Sequence, residues 1–279
     1  MRISIFRNIL SIVLKFFVRI KGYLYSNIRQ KRIILILKEL YFRILKLLKE
    51  INLIAANSYV FFKYFWYPHK LKESRYENLI KTIYQEKRCN LIEVGTFDGE
   101  HAYQMIKTAQ IFYPAYKVNY YGFDLFEDFT EEDMEKESSK RPLNYKYIKN
   151  KLEVTKANIS LYKGYTKDTL PKFINKIKEE NKKIDFIFID GGHSIKTVIS
   201  DWNYLKSLMN YNTVVIFDDY YDNEEIINNY GCNLLIDSLD KDNYEIEILK
   251  PQEQFQKDWG ILKINMVNVR LKRRKQAKN

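Results

Sequence analysis

Two short runs, Ile184–Ile189 and Thr213–Phe217, constrain this chain more than any other stretch. Each is rich in β-branched and aromatic residues, as strands buried on both faces of a parallel sheet are. Both stop at acid, the first at Asp190 and the second at Asp218 and Asp219. Neighbouring parallel strands would bring the three carboxylates together at their carboxyl ends, the edge where open α/β sheets bind ligands. Three hard oxygen donors suit Mg²⁺ or a similar divalent cation, with water or substrate oxygens completing an octahedron. A single strand-terminal Asp also serves as a helix or turn cap. Three of them at two strand ends, with His193 three residues past Asp190, favour a functional site.

Further runs at Asn90–Val94, Asn119–Phe123 and Ile159–Tyr162 extend the pattern, separated by helical periodicities at Ala102–Gln110, Thr169–Glu180 and Ser194–Met209. Such alternation predicts a parallel sheet with helices on both faces. A helix around Glu224–Ser238 and two strands, Tyr244–Leu249 and Gly260–Val269, are expected to close the chain as an antiparallel hairpin. The expected fold is therefore a Rossmann-like, seven-stranded, mostly parallel α/β sheet over residues 71–269, behind an N-terminal helical extension over 1–70. Residues 270–279, with six basic groups and no acid, read as a solvated, disordered tail.

The net charge of +12 resides in the extension, where residues 1–70 hold fourteen Lys and Arg against Glu39 and Glu50. A neutral body with a basic, apolar head points away from nucleic acid and toward a membrane surface or an acidic partner. Residues 31–51 put Ile33, Ile36, Leu37, Leu40, Ile44, Leu47, Leu48 and Ile51 on one helical face and charge on the other. That face either packs on the domain or on a second subunit, as in a homo-oligomer, or lies on anionic lipid. Charges at Arg7, Lys15 and Arg19 interrupt the first apolar stretch, which argues against a transmembrane span and a secretory signal. With only Cys89 and Cys232 there is no disulfide framework, and the expected location is the cytoplasm, with residues 1–51 against the inner face of a membrane.

The segment LIEVGTFDGEHA, residues 91–102, reads as strand, glycine turn and helix start. Glycine lets backbone approach a ligand closely, and a helix amino terminus offers free N–H groups. It is neither the G-x-G-x-x-G of a dinucleotide site nor a P-loop. With its acid before G-x-x-x-G, it resembles the first motif of class I S-adenosylmethionine-dependent methyltransferases. The resemblance runs on in order through YYGFDLF, KGYTKDTLP, IFIDGGHS and VVIFDDYY over residues 90–269. It implies cofactor binding by Glu93, Gly95, Asp98 and Gly99, by Asp124 on the ribose hydroxyls, and by Gly164, Tyr165 and Thr166 along the adenine.

Within that superfamily, catechol-type and macrocin-type sugar O-methyltransferases, and the cephalosporin hydroxylase-like group, hold a divalent metal at the ends of strands four and five. Asp190, Asp218 and Asp219 fall on those positions. In the catechol enzymes a Lys acting as base stands three residues beyond the first metal Asp. Here that residue is His193, and an imidazole titrates near neutral pH. In sugar-modifying relatives the metal-bound Asp, here Asp190, takes the role of base, and a hydrogen-bonded helix-start His is the structural alternative for His193. The resemblance implies methyl transfer to a hydroxyl of a small molecule, sugar or glycolipid. Two other readings stay open: a metal-free or hydroxylase-like relative, and a non-catalytic, membrane-associated binding protein on this scaffold. The acidic stretch Glu127–Glu137 is expected as a loop, with its charge serving solvation.

Overall fold

The computed structural model describes residues 74–257 and 260–273. The extension over 1–70, with its amphipathic stretch at 31–51, and the tail from 274 onward lie outside the described residues. Five parallel strands form the centre of the sheet: β1 Asn90–Val94, β2 Asn119–Asp124, β3 Asn158–Lys163, β4 Phe186–Ile189 and β5 Val214–Tyr221. Strands β6 Tyr244–Ile248, β7 Glu253–Lys257 and β8 Gly260–Leu271 complete it, with β8 antiparallel to β5, β6 and β7. The order is β3-β2-β1-β4-β5-β8-β6, and β7 pairs with β8 off this path. Rossmann-like topology with a C-terminal antiparallel unit is thus as the strand–helix alternation predicts.

The eighth strand arises because the outer arm of the expected hairpin is broken. Ile248 of β6 faces Val267, whereas Glu253 of β7 faces Ile264, so Leu249–Gln252 stand opposite only Asn265 and Met266. Pro251 sits in that break, joined to Lys250 by a cis peptide. Proline has no N–H to give a ladder, which confines it to such interruptions.

Helices cover both faces: α1 Glu77–Glu86, α2 Glu100–Ala109, α3 Glu131–Glu137, α4 Tyr145–Glu153, α5 Thr166–Glu179, α6 Ile195–Leu205, α7 Glu224–Ile227 and α8 Asn233–Ser238. Successive strand residues point to opposite faces, and the cores divide accordingly. Leu91, Phe186 and Val214, register neighbours across three strands, lie under Leu79, Ile80 and Ile83 of α1 and Met105 and Ile106 of α2. Ile92, Ile187 and Val215 lie under Leu170, Phe173 and Ile177 of α5 and Val198, Trp202 and Leu205 of α6. Each such side chain, fully buried, stabilises the fold by roughly 1.5–3 kcal/mol before chain entropy is counted. No helix among the described residues is long and apolar enough to cross a membrane.

Departures from the expected boundaries have local causes. The acidic stretch is not a loop throughout: Thr130 and Asp133 form a reciprocal capping box that starts α3. The helix expected over Glu224–Ser238 is two, separated at Gly231, whose φ of +87° a continuous helix excludes. Strand β8 runs two residues into the expected tail because Arg270 forks onto the Glu86 carboxylate of α1.

At the carboxyl edge, Gly95 has φ +89°, and a Cβ there would stand 1.9 Å from the backbone oxygen of Asp190. This approach locks the turn after β1 onto the turn after β4. Gly95→Ala is expected to destabilise the protein by more than about 2 kcal/mol, measured as a lower urea midpoint; an unchanged midpoint would show that the Asp190 backbone yields.

Candidate active site

Two groups of side chains meet at this edge, one on each side of the Gly95–Asp190 contact. The first is built on β1 and β2. Glu93 is wholly buried, its Oε2 accepting from the Tyr120 hydroxyl while its Oε1 has no hydrogen-bond partner among the described residues. Burial pushes its carboxyl up to about 8, against the opposing pull of the Tyr120 hydrogen bond. Asp124, at the end of β2, accepts from the Phe97 N–H at 2.8 Å and the Phe126 N–H at 3.2 Å, so it shapes the turn between β1 and α2. Gly99 starts α2 with φ +69°, and Asp98 accepts from the Glu100 N–H at 2.8 Å as a local cap. Gly164 donates its N–H to the Asp124 carbonyl at 3.0 Å. Tyr165 precedes α5, its hydroxyl donating to Asp133 of α3 at 3.0 Å, and Thr166 is the first residue of that helix. Glu93, Gly95, Asp98, Gly99, Asp124, Gly164, Tyr165 and Thr166 therefore all sit at the carboxyl ends of β1, β2 and β3 or on the turns and helix starts that follow them.

The second group is built on β4 and β5. A regular strand would send Asp218 and Asp219 to opposite faces. Instead the register of β5 on β8 slips between Phe217 and Tyr220, and Asp219 takes φ +58°, which lets both carboxylates approach the same guanidinium, that of Arg75. The turn between α7 and α8 holds this irregular backbone. Cys232 N–H donates to the Asp219 carbonyl at 3.1 Å, Gly231 N–H donates to the His193 carbonyl at 2.8 Å, and the Asn233 amide pairs with both backbone groups of Tyr221.

Asp190, His193 and Asp219 each offer a ligand atom, and these atoms all lie within 4.8 Å of one another. His193 Nε2 is 3.3 Å from Asp219 Oδ2. Asp218, expected with them, is turned elsewhere: Arg75 donates from Nε to its Oδ1 at 2.6 Å and from Nη2 to its Oδ2 at 2.8 Å. Burial would raise the Asp218 carboxyl, but the charge and hydrogen bonds of Arg75 outweigh it and hold the group below the usual carboxylate range. Burial and the neighbouring Asp218 and Asp219 charges push Asp190 well above that range. Asp219 is also raised by burial, against the pull of His193. A cleft lined by residues 189–193, Val198 and residues 217–219 opens onto this group.

Three contributors lie outside the expected set. Arg75 precedes α1. Tyr76, at the start of that helix, donates its hydroxyl toward Asp190 Oδ2 at 3.5 Å and stacks on His101. Glu137, expected as a solvated acid, is buried and accepts from the Ser194 N–H and the Thr197 hydroxyl, both at 2.9 Å, which closes α3 over the turn that carries His193. Neither an isolated Arg nor one Glu in an acidic run carries a periodic signal.

Residues 92–220 match the family model described as a methyltransferase domain, over the same strands that carry both groups. Over these residues the chain carries a methyltransferase domain. An uncharacterised protein of Acanthamoeba polyphaga mimivirus is 28% identical over 155 residues, 52% of this chain and 58% of that relative, so the match spans less than two thirds of the relative's length. Among solved structures, this chain is similar to the O-methyltransferase TomG of Streptomyces achromogenes, involved in tomaymycin synthesis, with 12% identity over 77% of this chain and 89% of that one and a TM-score of 0.48. It is also similar to an O-methyltransferase of Bacillus cereus, with 15% identity over 80% and 90% and a TM-score of 0.47.

The buried acid of the methyltransferase domain gives a stability prediction. Glu93 titrates at about 8 when folded against an ordinary 4.5, so between those values the folded chain holds a proton that the unfolded chain releases. Its contribution is intact below the unfolded value and is lost as pH rises through the folded one, at up to about 1.4 kcal/mol per pH unit. Glu93→Gln should flatten the fall in urea midpoint between pH 5 and pH 8 in protein free of cofactor. A slope equal to that of the wild type would place the titration elsewhere.

Proposed function

We propose that this chain transfers the methyl group of S-adenosylmethionine to a hydroxyl of a small molecule, sugar or glycolipid, with assistance from a divalent cation such as Mg²⁺. The observation that carries the reading is the convergence of Asp190, His193 and Asp219 beside the methyltransferase cradle. The residues present fit the cofactor. A wholly buried carboxyl with one oxygen unpartnered, that of Glu93, is suited to a cationic or donor group, and the ammonium of S-adenosylmethionine is one. Gly95 and Gly99 leave the turn open to close approach, and Asp124 keeps acceptor capacity for ribose hydroxyls. Two carboxylates and an imidazole also fit a divalent cation of the Mg²⁺ or Mn²⁺ kind, and such an ion lowers the pKa of a bound hydroxyl.

The work of the chain's own residues follows from their placement. Asp190 and Asp219 would hold the cation, which would position the acceptor hydroxyl toward the methyl donor. With His193 among the cation's ligands, the hydroxyl proton passes to Asp190, the other candidate base, whose carboxylate has a second oxygen to receive it. The carbon–sulfur bond breaks as the carbon–oxygen bond forms, leaving S-adenosylhomocysteine and a methyl ether.

Incubation with S-adenosylmethionine and a panel of vicinal diols and sugars should give a product heavier by one CH₂. EDTA should abolish it, and Asp190→Asn should lower kcat by about a hundredfold or more with S-adenosylhomocysteine affinity unchanged. Full turnover in EDTA would favour a metal-free relative, a reading to which the Arg75–Asp218 pair lends support. Absence of S-adenosylhomocysteine binding by calorimetry would favour the non-catalytic reading. For residues 1–51 the proposal is contact with anionic lipid, and the full chain should float with anionic but not neutral liposomes at low salt.

A further inference from the structure

We propose that Arg75 is a built-in second cation of the carboxylate cluster, withdrawing Asp218 from the ligand set and leaving Asp190, His193 and Asp219 to a single divalent cation. The inference rests on the metal-assisted reading above and concerns which residues serve the ion.

Both oxygens of Asp218 are engaged by the planar fork of Arg75, the geometry in which a guanidinium binds a carboxylate most strongly. The pair is dry, with side chains 8% and 1% exposed, and a buried pair of this kind is costly to open. The guanidinium is fixed from other directions as well. Nη1 pairs with Glu253 Oε2 of β7, Nη2 also donates to the Tyr76 hydroxyl at 3.0 Å, and the Arg75 N–H donates to Glu253 Oε1 at 3.3 Å. The group lies 4.5 Å from the centre of the Tyr76 ring.

Four carboxylates, Asp190, Asp218, Asp219 and Glu253, crowd this end of the sheet. Arg75 offsets part of their charge chiefly through Asp218 and Glu253, its contact with Asp219 being a longer one, 3.8 Å to Oδ1. Arg75 is thereby a positioning residue. It sets Asp218 aside, binds β7 to the site, and holds the chain just before α1 so that the Tyr76 hydroxyl stands over Asp190.

Calorimetric titration of the full chain with Mn²⁺ alone tests the assignment. Asp190→Asn, Asp219→Asn and His193→Ala should each weaken Mn²⁺ binding by about tenfold or more, whereas Asp218→Asn should change it by less than about threefold. Arg75→Met should release Asp218 toward the ion and tighten binding by about tenfold, a gain that adding Asp218→Asn should reverse. A merely structural role for Arg75 would not tighten binding. The proposal is overturned if Asp218→Asn weakens Mn²⁺ as much as Asp190→Asn does, or if folded Arg75→Met binds no tighter than wild type. Should Arg75→Met fail to fold, the Asp218→Asn titration decides alone. A wild-type chain that binds no Mn²⁺ removes the metal-assisted reading itself and this proposal with it, an outcome distinct from binding that depends on Asp218.

Discussion

Carboxylates packed at the end of a dry sheet repel one another, and the arrangement around β4 and β5 is a response to that repulsion. Two like charges about 4 Å apart oppose each other by roughly 4 kcal/mol at an effective dielectric constant near 20, a large fraction of what holds a domain together. Arg75 answers for Asp218, which stays ionised, while Asp190 is driven toward its protonated form by burial and by its neighbours. The cluster is thus left with unspent affinity for positive charge on the side of Asp190 and Asp219. The proposed cation assistance would draw on that residue set.

Holding that cluster requires backbone that departs from regular geometry. Asp219 lies in the left-handed region, where a non-glycine residue is strained. The strain is sustained by hydrogen bonds from the turn between α7 and α8, where a Cβ on Gly231 would come within 2.4 Å of the Asp219 carbonyl. That turn also holds the His193 carbonyl, so one short segment sets the spacing between the imidazole and the Asp219 carboxylate. The separation of 3.3 Å between them follows from tertiary contacts more than from either residue's own strand.

What was legible in the chain follows the reach of each interaction. Strands β1 to β5 read clearly because burial on both faces demands continuous apolar runs, and Gly95 and Gly99 read clearly because a tight turn fixes their spacing. Asp190, Asp218 and Asp219 were visible as acids at strand ends, but their division into two groups was not. It depends on Arg75, 143 residues before Asp218 and 178 before Glu253, and no periodicity links residues so far apart. Glu137 was concealed for another reason: in a run of seven acids, local pattern does not separate Glu137, which turns inward onto Ser194 and Thr197, or the buried Asp133 from those that are exposed. The break between β6 and β7 needed the ladder on β8 to reveal it, although Pro251 marked the place.

The two halves of the site are coupled through a single backbone approach. Gly95 belongs to the turn beside Glu93 and Asp124, and the oxygen it nearly touches belongs to Asp190 of the carboxylate cluster. Val94 carbonyl accepts the Asp190 N–H at 2.9 Å, and Phe123 carbonyl accepts the Gly95 N–H at 2.9 Å, so β2, β1 and β4 are stitched together where their side chains begin to differ in purpose. Packed backbone of this kind transmits displacement rather than absorbing it. A methyl donor resting on the first turn and an acceptor resting on the second would therefore be held at a separation set by main-chain geometry, the least adjustable part of the protein. Near-attack alignment of sulfonium, methyl and oxygen needs that rigidity, while Arg75, Tyr76 and the turn at Gly231 adjust charge and side-chain direction around it.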